Sequence, residues 1–184
     1  GSPGTPFGKS KLTAEKHLLK SAIPGKKVYV MRPCMIHGPG NKGNLNLLFK
    51  FVNSGIPYPF ASFENERSFL SIDNLNFILG KMCKKDLPSG IYNLSDTEFV
   101  SSVQIVKLIN EALGKKPKLW LLSKKNITFM AKMGSKLSLP FNLERLKKLT
   151  ESFKVSNSKI LEALNEKLPV SAEEGLKKTV NSIK

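Results

Sequence analysis

A short hydrophobic segment between two helical patterns sets the fold class of this chain. Residues 27–32, KVYVMR, predict a buried strand that Pro33 stops. The apolar positions of residues 6–21 fit one face of a helix, and Thr5 with Pro6 provides its start. A glycine-rich stretch, residues 37–44, follows the strand and leads into a further helical pattern. Helix, strand, loop and helix in this order predict an αβ layer.

The same alternation continues along the rest of the chain. Strands are predicted at 67–71, 90–94 and 119–122. Helices are predicted from 72 to about 85, from Ser101 or Ser102 to Gly114, in two stretches after 122, and over 157–164 and 171–183. The last helix opens with Ser171 and Glu174 at the spacing of a capping box. The fold class predicted is α/β, with no internal repeat.

The charge of the chain is its most unusual property. Thirty Lys and Arg against fourteen Asp and Glu give a formal net charge of +16 over 184 residues. Nucleic acid, an anionic small ligand, an acidic chain or an anionic membrane surface would each use such a field. The lysines are scattered and no known nucleic-acid motif is present, so we expect no nucleic-acid partner.

Two further observations concern location and metals. No apolar run is long enough to span a bilayer and no signal-peptide pattern opens the chain, so we expect a cytoplasmic protein with no transmembrane segment. Cys34 and Cys83 have no metal-ligand spacing, which predicts two small buried hydrophobic residues and no metal site.

The glycine-rich loop formally matches the fingerprint of dinucleotide-binding loops. Gly38, Gly40 and Gly43 match G-x-G-x-x-G between a strand and a helix. Pro39 removes an amide from this loop, and no acidic residue closes a second strand about 20 residues on. We therefore do not predict a dinucleotide fingerprint here, and expect instead that the helix start at Gly43 and Asn44 approaches some phosphate.

Five motifs together resemble one known family. They are Phe7–Lys11 with Ala14 and Glu15, Met31–Pro33, His37–Gly40, Arg67–Phe69 with Ile72 and Asp73, and the closing residues 169–176. In order and spacing they resemble the extended short-chain dehydrogenase/reductase family, and within it the NAD-dependent epimerase/dehydratase type that acts on UDP-sugars. The resemblance covers nearly the whole chain, but only the C-terminal portion of the family.

The resemblance implies a domain organisation. Residues 1–40 correspond to a remnant of the Rossmann domain, and residues 41–184 mainly to the smaller α/β substrate-binding lobe, with 67–85 returning to the Rossmann sheet. Only six residues precede Phe7, so we expect the N-terminal Rossmann half to be missing from this chain. We therefore expect a fragment that binds no NAD and is inactive alone, from a parent that uses NAD or NADP and forms a homodimer.

The resemblance also implies which residues do the chemistry. In such enzymes a Tyr-x-x-x-Lys pair shares one helical face, and the lysine lowers the pKa of the phenol and holds the cofactor ribose. Lys11 occupies the lysine place, whereas Phe7 occupies the tyrosine place and has no proton to exchange. Pro33, Cys34 and Met35 would line the nicotinamide.

The substrate contacts implied by the resemblance lie further along the chain. Asn44 and Arg67 would approach the sugar diphosphate, because a planar guanidinium suits phosphate oxygens. Ile56 and Phe60 would contact the uracil, and His37 replaces a tyrosine and is expected to pack rather than catalyse. Asp73 is expected to be a first-turn carboxylate, and Arg145 to be solvated, with a second diphosphate contact as its alternative.

Three hypotheses for function follow from the sequence. The first is the substrate-binding fragment of a UDP-sugar 4-epimerase, or of a 4-keto-reductase of nucleotide sugars. The second is a non-catalytic nucleotide-sugar-binding module in which Phe7 has replaced the acid/base. The third is a basic nucleic-acid-binding domain, which would bind duplex DNA with a steep salt dependence.

Overall fold

The computed structural model describes residues 4–21, 25–137 and 142–183. The helices are α1 Pro6–Lys20, α2 Asn44–Asn53, α3 Ile72–Met82, α4 Ser102–Ala112, α5 Lys124–Lys136, α6 Leu143–Thr150, α7 Ser158–Leu164 and α8 Ala172–Ile183. The strands are β1 Tyr29–Pro33, β2 Met35–His37, β3 Phe69–Ser71 and β4 Gly90–Leu94. Helices and strands mix as predicted as far as α4, whereas α4 to α8 follow one another with no strand between them in the described residues.

The strands form two parallel pairs. β1 pairs with β4, with Tyr29 opposite Gly90, and β2 pairs with β3, with Met35 opposite Phe69. Parallel neighbours need long crossover connections, which the helices between them supply. Cys34 alone separates β1 from β2, and its amide donates to Leu94 in β4. The α/β class is therefore confirmed.

Three hydrophobic clusters hold the helices against these strands. The largest joins α2, α4 and α8 around Phe69, and the second joins α3 and α7 to β4 around Leu70 and Tyr92. A smaller cluster is formed by Ile127 and Ala131 of α5 with Leu146 of α6. Phe60 packs against both the first and the third cluster, so the segment before β3 links α5 and α6 to the main body.

Side-chain caps fix the starts of several helices at the predicted positions. Ser101 and Gln104 form a reciprocal capping box at the start of α4. At α8, the Ser171 amide donates to the Glu174 carboxylate and the Glu174 amide donates to the Ser171 hydroxyl. Thr5 accepts a hydrogen bond from the Gly8 amide at the start of α1. These caps satisfy amides that a helix start leaves without partners.

Helix α1 lies on the surface. None of its residues is buried, and the side chain of Phe7 is 70% exposed. A two-pronged ion pair joins Glu15 to Arg32 at the end of β1, and that guanidinium lowers the pKa of the Glu15 carboxyl. Phe7 is therefore not a core aromatic residue of this chain.

Two sequence predictions were wrong. Residues 119–122 do not form a strand, because only Leu119 bridges to Tyr58 and residues 120–122 are exposed without a neighbouring strand in the described chain. Cys83 is not buried, because it is the exposed residue that ends α3, whereas Cys34 is half-buried. The strand predicted at 67–71 is shorter and begins at Phe69, while Arg67 makes isolated bridges to Val100 and Phe153.

Candidate functional site

A cavity of about 670 Å³ lies between α2, α4, α6 and the segment that leads into β3. Four of the predicted site residues line it together, namely Met35, Asn44, Phe60 and Arg67. The remaining polar wall residues are Tyr58, Ser102, Lys148 and Glu151. The cavity has the size and the mixed lining that small-molecule sites generally have.

Arg67 is fixed in the wall of the cavity by its backbone and its side chain. Its amide and carbonyl both bond to Val100, and its Nη2 donates to the Lys148 carbonyl at 2.6 Å. The Nε atom is buried and has no hydrogen-bond partner in the part of the chain that the structure describes. A buried guanidinium donor without a partner costs free energy, which an anionic ligand would recover.

The start of α2 supplies a second anion-attracting element. Asn44 is the first residue of the helix, and the N-cap is Gly43 rather than Asn44. Gly43 offers no side-chain oxygen, so it makes no capping bond to the first-turn amides. Uncapped amides and the positive end of the helix dipole favour an anion at this position.

Lys148 is a wall residue that the sequence did not single out. It lies on α6, one of the helices that close the cavity, and its side chain pairs with Glu144 one turn earlier. Arg145 is exposed on the same helix and is outside the set of cavity residues. The sequence predicted a helical stretch here. No local pattern shows which of its cations lies in the wall of a cavity that Arg67, 81 residues earlier, also lines.

Aromatic side chains form another part of the wall. The rings of Tyr58 and Phe60 meet edge to face with centroids 5.6 Å apart. Burial raises the pKa of the Tyr58 phenol, and a hydrogen bond with Ser102 and the charge of Arg67 partly offset this rise. The phenol is therefore protonated at neutral pH and can donate a hydrogen bond.

Ile56 lies away from this cavity. It borders a separate depression of about 520 Å³, together with Lys115, Lys116 and Lys118. The two residues predicted to contact the uracil therefore lie apart. Phe60 lines the cavity, whereas Ile56 borders the other depression.

Phe7 and Lys11 lie on one face of α1 as their spacing predicts. The Lys11 ammonium is 4.4 Å from the centroid of the Phe7 ring. Both side chains are exposed, and neither lines the cavity. Phe7 holds no proton that could be exchanged, so this pair has a cation but no acid or base.

Pro33 ends β1 and Cys34 follows it, and both lie outside the set of cavity residues, whereas Met35 borders the cavity at the start of β2. Burial, together with the charge of Asp96, raises the pKa of the Cys34 thiol to about 12. The thiol is thus protonated and is not a nucleophile.

These residues fit only one end of a nicotinamide dinucleotide. Lys11 offers an ammonium for ribose hydroxyls, and residues 33–35 offer an apolar strand end. In the Gly38 loop, a Cβ at Gly38 would lie 2.6 Å from Ile72 Cγ2, so packing requires a glycine at this position.

His37 belongs to a buried polar cluster rather than to the cavity. Its Nδ1 lies 2.9 Å from the Thr179 hydroxyl, which is within hydrogen-bond distance of the Gly175 carbonyl. The Asp96 carboxylate lies 3.6 Å from Nε2. The surroundings of His37 favour the predicted packing role.

Asp73 lies in the first turn of α3 and pairs with Lys178 on α8.

Comparison with known structures defines the class. The fold is that of the C-terminal portion of extended short-chain dehydrogenase/reductase epimerases. A UDP-N-acetylglucosamine 4-epimerase from Bacillus cereus aligns with 98% of this chain and 54% of its own, at 18% identity and a TM-score of 0.65. A UDP-glucose 4-epimerase from Thermotoga maritima, solved with UDP-glucose, aligns with 98% and 53%, at 23% identity and a TM-score of 0.64.

Comparison of sequences points to a particular relative. The chain is 32% identical over 184 residues to a UDP-glucose 4-epimerase from Vibrio cholerae. This match covers 98% of the chain and 54% of that relative, so the chain spans about half its length. No family model matches the chain. The resemblance predicted from the five motifs, to the C-terminal portion of the epimerase/dehydratase type, is confirmed.

Proposed function

We propose that this chain is the substrate-binding portion of an NAD(P)-dependent UDP-sugar 4-epimerase-like protein, and that the cavity holds the diphosphate of a nucleotide sugar. The sequence match to a UDP-glucose 4-epimerase and the shared fold support the class. The buried, unpartnered Nε of Arg67 in the cavity wall carries the assignment of the ligand. A UDP complex of a structural neighbour with 16% identity supports it further.

Different wall residues would contact the three parts of the proposed ligand. Arg67, Lys148 and the start of α2 surround the diphosphate with positive charge. Phe60 packs beside the uracil, and the Tyr58 phenol donates a hydrogen bond to an oxygen of the ligand. The Glu151 carboxylate accepts hydrogen bonds from sugar hydroxyl groups.

The proposal is tested by calorimetric titration of the chain with UDP. Arg67→Ala should weaken binding by about 1.5 to 3 kcal/mol, the value of a hydrogen bond to a charged group, which is about 12- to 150-fold in Kd. Arg67→Lys keeps the charge but loses the planar fork, so it should recover only part of the affinity. An unchanged Kd for Arg67→Ala would refute the assignment.

Arg145→Ala is the matched control for this titration. It removes one guanidinium from α6, the helix that also carries Lys148, but its side chain is exposed and lies outside the cavity wall. We expect its Kd for UDP to stay within about twofold of the unsubstituted chain. Equal losses for Arg67→Ala and Arg145→Ala would mean that only overall charge matters, which contradicts a specific site.

A second part of the proposal concerns α1. Bound NAD or NADP would supply the hydride acceptor in the parent protein, where Lys11 would bind its ribose and residues 33–35 would lie beside its nicotinamide. Because Phe7 exchanges no proton, we propose that this chain does not turn over a UDP-sugar on its own. The domain division at residue 40, with 67–85 returning to the first sheet, belongs to the same proposal.

Phe7→Tyr tests whether the α1 pair keeps the geometry of an acid/base site. A phenolate at about 6 Å from an ammonium gains about 0.7 kcal/mol in water, which lowers its pKa by about half a unit. Ultraviolet titration should therefore detect a phenol with a pKa below the ordinary value of about 10. The pKa should return to that value in Phe7→Tyr/Lys11→Met, and identical pKa values in the two variants would contradict the geometry.

A non-catalytic nucleotide-sugar-binding module is the second candidate function. The presence of Phe7 in place of a phenol favours it, and UDP binding would fit both candidates. Joining the chain to the Rossmann half of a relative, together with Phe7→Tyr, distinguishes them, because only the epimerase candidate predicts interconversion of UDP-sugars.

A further inference from the structure

Helix α5 has apolar residues on two separate sectors of its surface. Ile127, Ala131 and Gly134 are buried on the inner face, where α5 packs against α6. Phe129 and Met130 belong to a second, outer sector and have exposed fractions of 65% and 60%. A surface helix of a water-soluble domain normally presents polar residues to solvent. The outer apolar face of α5 therefore requires an explanation beyond packing.

The outer face is bordered by a strip of lysines. At 100° per residue, Phe129, Met130, Met133 and Leu137 fall within one sector of the helix surface. Lys125, Lys132 and Lys136 fall together on the adjacent sector, and all three are exposed. Lys124, Lys125 and Lys132 also surround Phe129 in a shallow depression. Apolar and cationic strips thus run side by side along the helix.

The sequence around α5 carries positive charge only. Residues 112–143 contain no Asp or Glu, while they contain Lys115, Lys116, Lys118, Lys124, Lys125, Lys132 and Lys136. The ion pairs described within residues 4–21, 25–137 and 142–183 involve other lysines and arginines of the chain. Trp120 and Leu121, four and three residues ahead of the helix, are exposed, the latter at 80%.

We propose that the outer face of α5, together with the segment 120–122, docks on an anionic lipid bilayer. Apolar side chains beside a lysine strip are the pattern of helices that lie in the membrane interface. Lysines near an anionic surface each add to the attraction, and a tryptophan favours the headgroup level. In the described residues no helix is long and apolar enough to cross a membrane. The contact is therefore at the surface.

Other occupants fit these observations less well. A second copy on the same face would bring two identical lysine strips together, which charge repulsion opposes. Duplex nucleic acid would use the lysines but would leave Phe129, Met130 and Met133 exposed to water. A bilayer with anionic headgroups can contact both strips, because its acyl chains take up the apolar side chains and its headgroups attract the lysines.

Docking through α5 is separate from the proposed nucleotide-sugar site. The inner face of α5 packs on Leu146 of α6, and α6 supplies Lys148 to the cavity. The centre of the outer face lies about 110° around the helix axis from this contact. Vesicle binding and UDP binding are therefore measured independently, and failure of either leaves the other proposal standing.

The experiment is flotation of the chain with vesicles of phosphatidylcholine alone, or mixed about three to one with phosphatidylglycerol. We expect partition onto the mixed vesicles to be at least about tenfold stronger, and to weaken in about 0.5 M NaCl. Trp120 is the single tryptophan of the chain, so its emission should shift to shorter wavelength on binding. Equal partition onto both vesicles, or none onto either, overturns the proposal.

Variants of the exposed face identify the docking surface. Phe129→Ser/Met133→Ser and Lys125→Gln/Lys132→Gln/Lys136→Gln should each reduce partition by about tenfold or more. Lys9→Gln/Lys16→Gln/Lys20→Gln removes the same charge from α1, and its partition should stay within about twofold. Circular dichroism confirms that each variant is folded. Equal losses in the two lysine variants would mean that only net charge matters and would refute the proposal.

Two outcomes would assign this face to another occupant. Sedimentation velocity that shows self-association abolished by Phe129→Ser/Met133→Ser, without vesicle binding, would assign it to a second copy. Salt-sensitive binding of duplex DNA that is lost only in the α5 lysine variant, again without vesicle binding, would assign the strip to nucleic acid. Either result would overturn membrane docking.

Discussion

Asn74 is a buried side chain whose removal should cost a large part of the stability of this chain. It is fully buried in the first turn of α3. Its amide nitrogen donates to Asp96 at 2.7 Å and to the Val170 carbonyl at 2.8 Å, and its amide oxygen accepts from the Val170 amide at 3.2 Å. One side chain therefore joins α3, the end of β4 and the segment before α8.

The expected loss follows from these three bonds. The two bonds to Val170 contribute about 1 kcal/mol each, and the bond to the Asp96 carboxyl about 1.5 to 3 kcal/mol. Asn74→Ala should thus lower the free energy of unfolding by about 3.5 to 5 kcal/mol. A domain is usually stable by only about 5 to 15 kcal/mol. The loss should therefore be visible as a much lower urea midpoint.

The assay is urea unfolding followed by circular dichroism, with Asn76→Ala as the control. Asn76 is exposed on the same helix, so its replacement should change the unfolding free energy by no more than about 0.5 kcal/mol. A double-mutant cycle of Asn74→Ala with Asp96→Ala should give a coupling energy of about 0.5 to 3 kcal/mol. Additive losses, or a loss for Asn74→Ala similar to that of Asn76→Ala, would refute the reasoning.

Two further predictions concern glycines and thiols. Gly175→Ala should destabilise the chain by about 1 to 3 kcal/mol, because the added Cβ would lie 2.7 Å from Ser71 Cβ. Gly80→Ala has open space around it and should stabilise the chain by up to about 1 kcal/mol. Thermal unfolding compares the two variants, and equal effects would contradict the packing at Gly175. Cys83 should react with a thiol reagent at neutral pH much faster than Cys34, whose pKa is raised by burial to about 12, and loss of the fast phase in Cys83→Ser checks this order.

Local patterns in the sequence were sufficient for most of the secondary structure. The start of α4 was predicted from a capping serine, Ser101 or Ser102, and the structure shows that Ser101 is the cap with Gln104 as its partner. The start of α8 was predicted from the spacing of Ser171 and Glu174. Both signals lie within one helical turn. The false strand at 119–122 shows the limit, because a strand exists only where a second strand pairs with it and none runs beside Trp120.

The cavity could be predicted only in part. Motifs indicated Asn44 and Arg67, and both line it. Lys148 was missed because its place in the wall depends on how α6 packs against the segment before β3, which no local pattern records. Ile56 and Phe60 are four residues apart in sequence, yet they border different surfaces. Distance along a loop therefore does not show which side chains share a site.

The surface position of α1 affects how precisely its side chains are held in place. A helix of 15 residues without a buried side chain is stabilised mainly by its own propensity, its cap and the ion pair of Glu15 with Arg32, and isolated helices of this length are marginal in water. Its amides should therefore exchange hydrogen with a protection far below that of α4 or α8. We then expect Lys11 to be presented by a helix that opens often, which leaves the position of its ammonium poorly defined. Covering α1 with a packed neighbour would order that lysine without changing a single residue of the pair.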